Sequence, residues 1–378
     1  MLLLGGHGLR TIAGVLKFQD FVYFYTLGHL ATAGNARALA DYDLLHRAQA
    51  ALVPAASDLI YPPVYPPYTA VLFAPFSQLS FLPAAAVWVC LSIAIYAVVV
   101  RVVWKAVSST VPDGRLVAAI AIAFPPFWQL VMNGQVTAIV LVAFTLGWWA
   151  LERGHTILAG AALGLLASKP QFGLVLAIVV LWRREWGLLL GAMISTLAQM
   201  ALVAWWLDVA ALTDFLGNVP RMIAQADVLE AKPWASHSFR SFTRLLPGPF
   251  GTAAWLVLAG IFTGLAVRAW RPDVPLRVRF GLVILASVLV SPHLIVYDAT
   301  VLALPLLFFA GWMEAPERRE AARRLRPLMH ALIVALAIPA AQVISVQPSV
   351  ILMAAMCVVV TQAVLGESNE AAAATASR

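Results

Sequence analysis

The chain is poor in charged residues and in cysteine. Asp, Glu, Lys and Arg together make up 11% of its 378 residues, whereas a soluble domain usually carries about a quarter. Its two cysteines, Cys90 and Cys357, both lie inside apolar runs, so we expect neither a disulfide nor a cysteine-ligated metal. The sequence also lacks a Walker loop and an HExxH motif, the signatures of ATP-driven transport and of zinc proteolysis. We expect no metal and no cofactor.

What the chain has in abundance is hydrophobic length. Hydrophobic residues make up 62% of the sequence, and the mean hydropathy is +0.87. Long apolar runs of this kind predict an all-α, polytopic transmembrane helical bundle rather than a barrel, with about nine to twelve spans. The net charge is +7, but the basic residues lie in short loops between the runs. They therefore indicate membrane orientation, and we expect membrane lipids and no nucleic acid as partners.

Arginine and lysine concentrate in alternate loops, most densely in residues 314–326. The positive-inside rule predicts that these loops face the cytoplasm of a bacterial inner membrane. The opposite, extracytoplasmic side then holds residues 18–80, 133–135, 208–250 and 291–298, together with Lys169. These segments contain most of the polar residues that could carry chemistry.

The sequence predicts a single integral membrane domain over residues 1–366 and a disordered cytoplasmic tail over 367–378. Residues 18–80 and 208–250 form its two large extracytoplasmic loops. Met1–Lys17 is too short and too polar to span a bilayer. We therefore expect the natural reading frame to begin upstream, with a further span.

Asp20 is the first candidate for chemistry. Residues 20–33 carry apolar side chains at a helical period and are followed by Gly34, a good C-cap, so Asp20 lies at the start of a helix. That end of a helix favours an ionised carboxylate. One interpretation is a structural N-cap. The other is a general base facing the membrane surface, which must stay ionised and reach an acceptor hydroxyl.

Two basic residues interrupt apolar segments. Lys169 precedes Pro170, and we expect half-helices on either side because proline breaks the helical hydrogen-bond ladder. Lys169 is suited to bind a phosphate, or else it snorkels to lipid headgroups. His293 lies in SPHLIVYD, about one turn before Tyr297 and Asp298. An ionisable group inside a span indicates function, and the alternative is a structural His–Asp or His–Tyr pair between helices.

Two further segments mix polar and aromatic residues. The turn Asn133-Gly134-Gln135 joins two apolar runs and is either part of a site or a simple hairpin. The second large loop contains KPWASHSF, which combines a cation, an indole, a histidine and hydroxyls.

Five motifs taken together resemble the polytopic, polyprenyl-phosphate-sugar-dependent glycosyltransferases of family 87, within the C-type superfamily. The motifs are spread over about three quarters of the chain, and it is their order and spacing that make the match specific. They are DFVYFYTLGHLATAG (20–34), YPPVYPPYTAVLFAPFSQL (61–79), NGQVTAIVL (133–141), AGAALGLLASKPQ (159–171) and SPHLIVYD (291–298).

The resemblance implies a multi-span helical fold and transfer of a hexose, mannose above all, from a polyprenyl-phosphate donor to a lipid or glycan acceptor. Transfer would invert the anomeric centre without an obligatory metal. The family has a catalytic acid in the first extracytoplasmic loop, and Asp20 matches it. A glycosyl phosphate already has a good leaving group, so one base suffices, with cations to hold the departing phosphate. The candidate cations are Lys169, His293, Arg240 and Arg244. The candidate groove residues are Tyr25, Tyr61, Tyr65, Gln135, His237, Tyr297 and Asp298.

The chain departs from the family pattern in two places. The family usually has a full span before the acid, and its second large loop usually carries an Asn-x-Ser-like motif where this chain has His237-Ser238. Two other interpretations remain open. One is a flippase for lipid-linked sugars or a secondary transporter, which would place polar groups near the bilayer midplane. The other is a C-type transferase of another sugar, such as arabinofuranose.

Overall fold

A computed structural model describes residues 5–6, 8–12, 14–224, 235–338 and 346–376, the last ten of these by their backbone alone. Of the residues that the structure describes, 78% are helical and none forms a β-strand. This confirms the all-α prediction. The α-helices are α1 Gln19–Thr32, α2 Tyr42–Leu52, α3 Pro67–Phe73, α4 Phe81–Val107, α5 Gly114–Ala123, α6 Pro125–Asn133, α7 Thr137–Leu151, α8 Thr156–Leu163, α9 Gly173–Trp182, α10 Trp186–Leu207, α11 Val209–Ala224, α12 Arg240–Thr243, α13 Pro249–Ala269, α14 Leu276–Val290, α15 Ala303–Trp312, α16 Arg319–Ala337 and α17 Pro348–Ala376.

Among the described residues, four helices are long and apolar enough to cross a membrane: α4, α10, α13 and the first part of α17. Two pairs would raise the number to six if each is one bent span. The pair α5 and α6 bends by 51°, and the segment Val296–Trp312 bends by 109° against Pro316–Ala337. Three more apolar helices are shorter, and they cover residues 137–151, 156–168 and 170–182. The described residues therefore form the expected polytopic helical bundle, in which proline and polar residues divide several apolar runs into shorter helices.

Helix α14 lies at the centre of the larger core. Its side chains from Phe280 to Val290 are all buried, and a helix that is apolar on every side must be enclosed by others. It packs against α13, α15 and α17. The chain leaves this core at Ser291 and passes through a 3₁₀ segment, Val296–Leu302, before α15 begins. The core thus fixes the position of residues 291–302.

A second, aromatic core surrounds helix α1. Phe21, Phe24 and Phe73 are fully buried, and the rings of Phe24 and Phe73 stack at 5.1 Å between centroids. Helix α1 packs closely on α3, because a Cβ at Gly28 would lie 2.3 Å from the Phe73 carbonyl oxygen. The helix ends at Thr32, two residues before Gly34, whose φ is 67°. The predicted helix over residues 20–33 is confirmed.

Two expectations concern segments at the edge of what the structure describes. Helix α17 continues to Ala376, through most of the 367–378 segment that the sequence predicts to be a disordered tail. In the second large loop, residues 225–234 lie outside the described residues, and the rest comprises α11, α12 and the turns that flank α12. Cys90 and Cys357 are both free thiols.

Candidate active site

The start of helix α1 rests against the turn between α6 and α7. The backbone N–H of Phe18 donates to the Met132 carbonyl at 3.0 Å. Gly134 has a φ of 68°, and a Cβ there would lie 2.6 Å from Cβ of Phe21. Trp88 donates its indole N–H to the Gly134 carbonyl at 3.0 Å. Only glycine satisfies both the left-handed backbone and the close approach, so this turn positions the first turn of α1.

Gln135, the last residue of the NGQ turn, fixes the carboxylate of Asp20. Its side-chain Nε2 donates to Asp20 Oδ2 at 3.0 Å. Its Oε1 accepts from the Tyr65 hydroxyl at 3.3 Å and from the Val136 backbone N–H at 3.0 Å. Because two donors point at Oε1, the amide orientation that turns Nε2 toward Asp20 follows from the hydrogen-bond network. The NGQ turn therefore contacts Asp20 directly and belongs to the candidate site.

The carboxyl of Asp20 is surrounded by protein and keeps partial contact with solvent. Burial raises the pKa of Asp20 from its usual range to about 6, and the nearby Asp298 charge acts in the same direction. The hydrogen bond from Gln135 and the charges of Lys169 and His293 lower this pKa. Asp20 is therefore ionised at neutral pH, with a pKa closer to the operating pH than an exposed carboxylate would have.

Lys169 lies where the chain breaks between α8 and α9. It separates two 3₁₀ segments, Gly164–Ser168 and Pro170–Phe172, as the Lys-Pro sequence predicts. Its ammonium is buried and bonds Oδ1 of Asp298 at 2.5 Å and the Thr137 hydroxyl at 3.1 Å. Thr137 donates to the same Oδ1 atom, and the buried Oδ2 atom of Asp298 has no hydrogen-bond partner among the described residues. Lys169 and Asp298 thus form a buried ion pair between two broken helical segments.

Tyrosine rings line the space around Asp20. Tyr61 donates its hydroxyl to the Gln19 carbonyl at 2.7 Å. Tyr65 bonds Gln135, as described above, and its ring lies 4.9 Å from that of Phe24. The Tyr297 ring centroid is 5.3 Å from the Lys169 ammonium. Tyr25 differs from these three, because its hydroxyl donates to the Leu79 carbonyl. Tyr61, Tyr65 and Tyr297 therefore form one cluster with Asp20, Gln135, Lys169 and Asp298, called the Asp20 cluster below. Tyr25 packs on the side of α1 that faces Phe81.

His293 and His237 occupy different environments. His293 is exposed, and its charge acts on Asp20, so it lies at the open edge of the cluster. His237 is buried, and its Nδ1 shares a hydrogen bond with the Ser349 hydroxyl at 2.8 Å. Burial lowers the pKa of His237 to about 4, so this imidazole is neutral at neutral pH and holds the loop against α17.

The second large loop is hydrogen-bonded to the segment that follows α14. A single antiparallel bridge pairs Ser236 with Ile295, and the His237 N–H donates to the Leu294 carbonyl at 2.8 Å. The Arg240 guanidinium lies 5.6 Å from the Trp255 ring centroid, and Arg244 follows one helical turn later. The structure thus places the candidate cations Arg240 and Arg244 just beyond a loop that contacts residues 294–295, next to His293.

The sequence does not predict the contacts of Thr137 or the pairing of Lys169 with Asp298. Thr137 lies in the NGQVTAIVL motif, yet its hydroxyl emerged as a bridge between Lys169 and Asp298 only in the structure. The sequence predicts Lys169 as a phosphate ligand and Asp298 as a groove residue, without pairing them. A signal was available, because two opposite charges in apolar surroundings seldom remain unpaired.

The chain matches the model of glycosyltransferase family 87 over residues 64–292, more than half of its length. The matched region contains Tyr65, Gln135 and Lys169, whereas Asp20 and residues 293–298 lie outside it. No curated protein and no solved structure matches the chain. The match and the polytopic helical fold agree: the chain belongs to glycosyltransferase family 87 and is a membrane glycosyltransferase.

Proposed function

We propose that this enzyme transfers a hexose, mannose in the first instance, from a polyprenyl-phosphate donor to a lipid or glycan acceptor, with inversion at the anomeric carbon. Asp20 is the general base, and the reaction takes place on the extracytoplasmic face. The observation that supports this most is the environment of Asp20. Its carboxylate is oriented by Gln135, lies beside a buried ion pair and has a pKa of about 6.

The transfer step is written as one displacement. The acceptor hydroxyl gives its proton to Asp20 while its oxygen forms a bond to the anomeric carbon. The bond from that carbon to the phosphate oxygen breaks, and its electron pair leaves with the polyprenyl phosphate. The two bonds lie on opposite faces of the sugar, so the product has inverted configuration. A phosphate leaves without protonation, so one carboxyl is enough.

The departing phosphate needs positive charge around it. His293 is exposed next to Asp20, and Arg240 and Arg244 lie beyond the adjoining loop. Lys169 already pairs with Asp298, so in this proposal it acts on the departing phosphate through its charge and not by direct contact. Tyr61, Tyr65 and Tyr297 form the wall against which an acceptor sugar packs, because aromatic rings offer a flat apolar face beside a polar hydroxyl.

A flippase or transporter is the second candidate, since polar residues in broken helices are also typical of transport proteins. The two functions differ in what Asp20 must do. A flippase moves the lipid-linked sugar without breaking a bond, so polyprenyl phosphate would not be released.

The test is transfer by the purified full chain, supplied with a panel of polyprenyl-phosphate sugars and an acceptor extract. We expect release of polyprenyl phosphate with mannose as the preferred sugar. Asp20→Asn should lower turnover by about 10²–10⁴, the usual contribution of a positioned base, while donor binding persists. Asp41→Asn is the matched control, because Asp41 caps α2 in the same loop and asparagine caps equally well. Asp20→Asn turnover above about a tenth of wild type would contradict the assignment.

A further inference from the structure

A basic cavity of about 610 Å³ lies against the first turns of helix α16. Arg319, Arg323 and Arg326 all line it. They are spaced four and three residues apart, so they share one face of the helix. The cavity belongs to the 314–326 loop region, which the distribution of arginine predicts to be cytoplasmic, and none of its lining residues belongs to the Asp20 cluster.

The positive charge in this cavity is only partly neutralised by the protein. Glu314 pairs with Arg326 at 2.8 Å. Arg319 and Arg323 make no ion pair within the part of the chain that the structure describes. Arg319 is the first residue of α16, where no side chain caps the helix and the positive end of its dipole opposes a cation. The acid in this turn, Glu320, pairs with Arg324. An anion bound between Arg319 and Arg323 would relieve both costs.

An apolar cleft of about 200 Å³ adjoins the basic cavity, and the two share Met313, Arg326 and His330. The cleft runs between α4, α5, α15 and α16 and is lined mainly by aliphatic and aromatic side chains, among them Val117, Phe124 and Leu306. A basic cavity that continues into an apolar cleft fits a molecule with an anionic headgroup and a hydrocarbon chain. A free inorganic anion would leave the cleft unused, and a neutral lipid would leave the arginines uncompensated.

We propose that this is a binding site for an anionic phospholipid of the adjacent leaflet, with its phosphate on Arg319 and Arg323 and one acyl chain in the cleft. The segment Pro316–Ala337 bends by 109° from Val296–Trp312. If the latter crosses the bilayer, the bend lays the basic first turns of α16 along the membrane surface. Arginines on such a helix attract anionic headgroups. The proposal does not depend on the sugar-transfer reaction.

The test measures thermal unfolding of the full chain in a neutral detergent, with phosphatidylglycerol, phosphatidylcholine or inorganic phosphate added. A ligand that binds the folded state raises the midpoint of unfolding, so phosphatidylglycerol should raise it more than phosphatidylcholine or inorganic phosphate does. High salt should reduce the shift caused by phosphatidylglycerol. Arg319→Gln with Arg323→Gln should lose most of this shift relative to its own lipid-free baseline. The control, Arg153→Gln with Arg268→Gln, removes two arginines of the same predicted side and should keep it.

Two further variants distinguish binding of the phosphate headgroup from binding of the acyl chain. Arg319→Lys with Arg323→Lys keeps the charge and should retain much of the shift. Ala310→Phe narrows the apolar cleft and leaves the basic cavity unchanged. It should reduce the shift caused by phosphatidylglycerol without creating any response to inorganic phosphate. The proposal is overturned if phosphatidylcholine or inorganic phosphate reproduces the shift, or if the double glutamine variant keeps it. Stabilisation by a polyprenyl phosphate but not by phosphatidylglycerol would also overturn it.

Discussion

Asp20 takes its chemical character from residues that are distant in sequence. Gln135 orients its carboxylate, while the Lys169–Asp298 pair lies close enough to act on its charge. The position at a helix N-terminus predicts a carboxylate that is always ionised, and burial moves it toward neutrality. With a pKa near 6, Asp20 is a stronger base than an exposed aspartate and is still ionised at pH 7.

The same burial should make Asp20 costly for stability. Its pKa is raised from 3.8 to about 6 on folding, so the folded state favours the protonated form. The stability that the fold has with protonated Asp20 is fully present below pH 3.8, and it is lost as the pH rises through 6 and the carboxyl ionises. Asp20→Asn should therefore stabilise the fold at pH 7.5 by about 1–3 kcal/mol, with a smaller gain at pH 5. Thermal unfolding at the two pH values measures this, and a loss of stability at pH 7.5 would contradict it.

The turn between α6 and α7 brings Asp20 and Gln135 together. Helix α1 approaches this turn at Gly134, where a side chain would meet Phe21. Asp20 and the amide that orients its carboxylate are therefore held by one close backbone contact. If Asp20 is the proposed base, a displacement of about an ångström at this contact would move its carboxylate out of reach of the acceptor hydroxyl.

Gly134→Ala tests this contact. The new Cβ would lie 2.6 Å from Cβ of Phe21, so α1 must shift, and we expect turnover to fall roughly 10- to 100-fold. Gly154→Ala is the matched control. Gly154 also has a left-handed φ, of 76°, but nothing lies within 4 Å of its Cβ position. It therefore bears the backbone strain without the clash. Equal turnover in the two variants would show that the close contact does not position Asp20.

Local elements were predictable because their signals are local. The helical period and Gly34 fix the extent of α1, and Lys169-Pro170 fixes the break between two short helices. The pairing of Lys169 with Asp298 was not predictable in the same way, because the two residues are 129 positions apart and their contact has no local pattern. The bond from Gln135 to Asp20, across 115 positions, was hidden for the same reason.

The distribution of arginine predicts which segments of the molecule lie on each side of the membrane. Asp20 and the NGQ turn lie in segments that the charge distribution predicts to be extracytoplasmic, whereas the arginine-lined cavity at α16 lies in a predicted cytoplasmic region. Composition alone predicted the all-α membrane fold. The number of full-length spans was harder to predict, because a hydropathy run does not show where a helix bends or stops.

Cysteine labelling tests this orientation. In a Cys90→Ser background, a cysteine that replaces Asp41, an exposed residue of the first loop, should react with an impermeant reagent without permeabilising the inner membrane. A cysteine that replaces Glu314 should react only after permeabilisation, because the surrounding arginines favour the cytoplasmic side. The reverse pattern would place Asp20 on the cytoplasmic face.

The most direct test of Asp20 as the base is the pH dependence of kcat/KM for wild type and Gln135→Met. Wild-type activity should fall as the pH drops through about 6, because protonated Asp20 cannot accept a proton. The hydrogen bond from Gln135 lowers the pKa of Asp20, so Gln135→Met should move this acidic limb to higher pH. A limb that is absent in wild type, or unmoved in Gln135→Met, would contradict the assignment of Asp20 as the catalytic base.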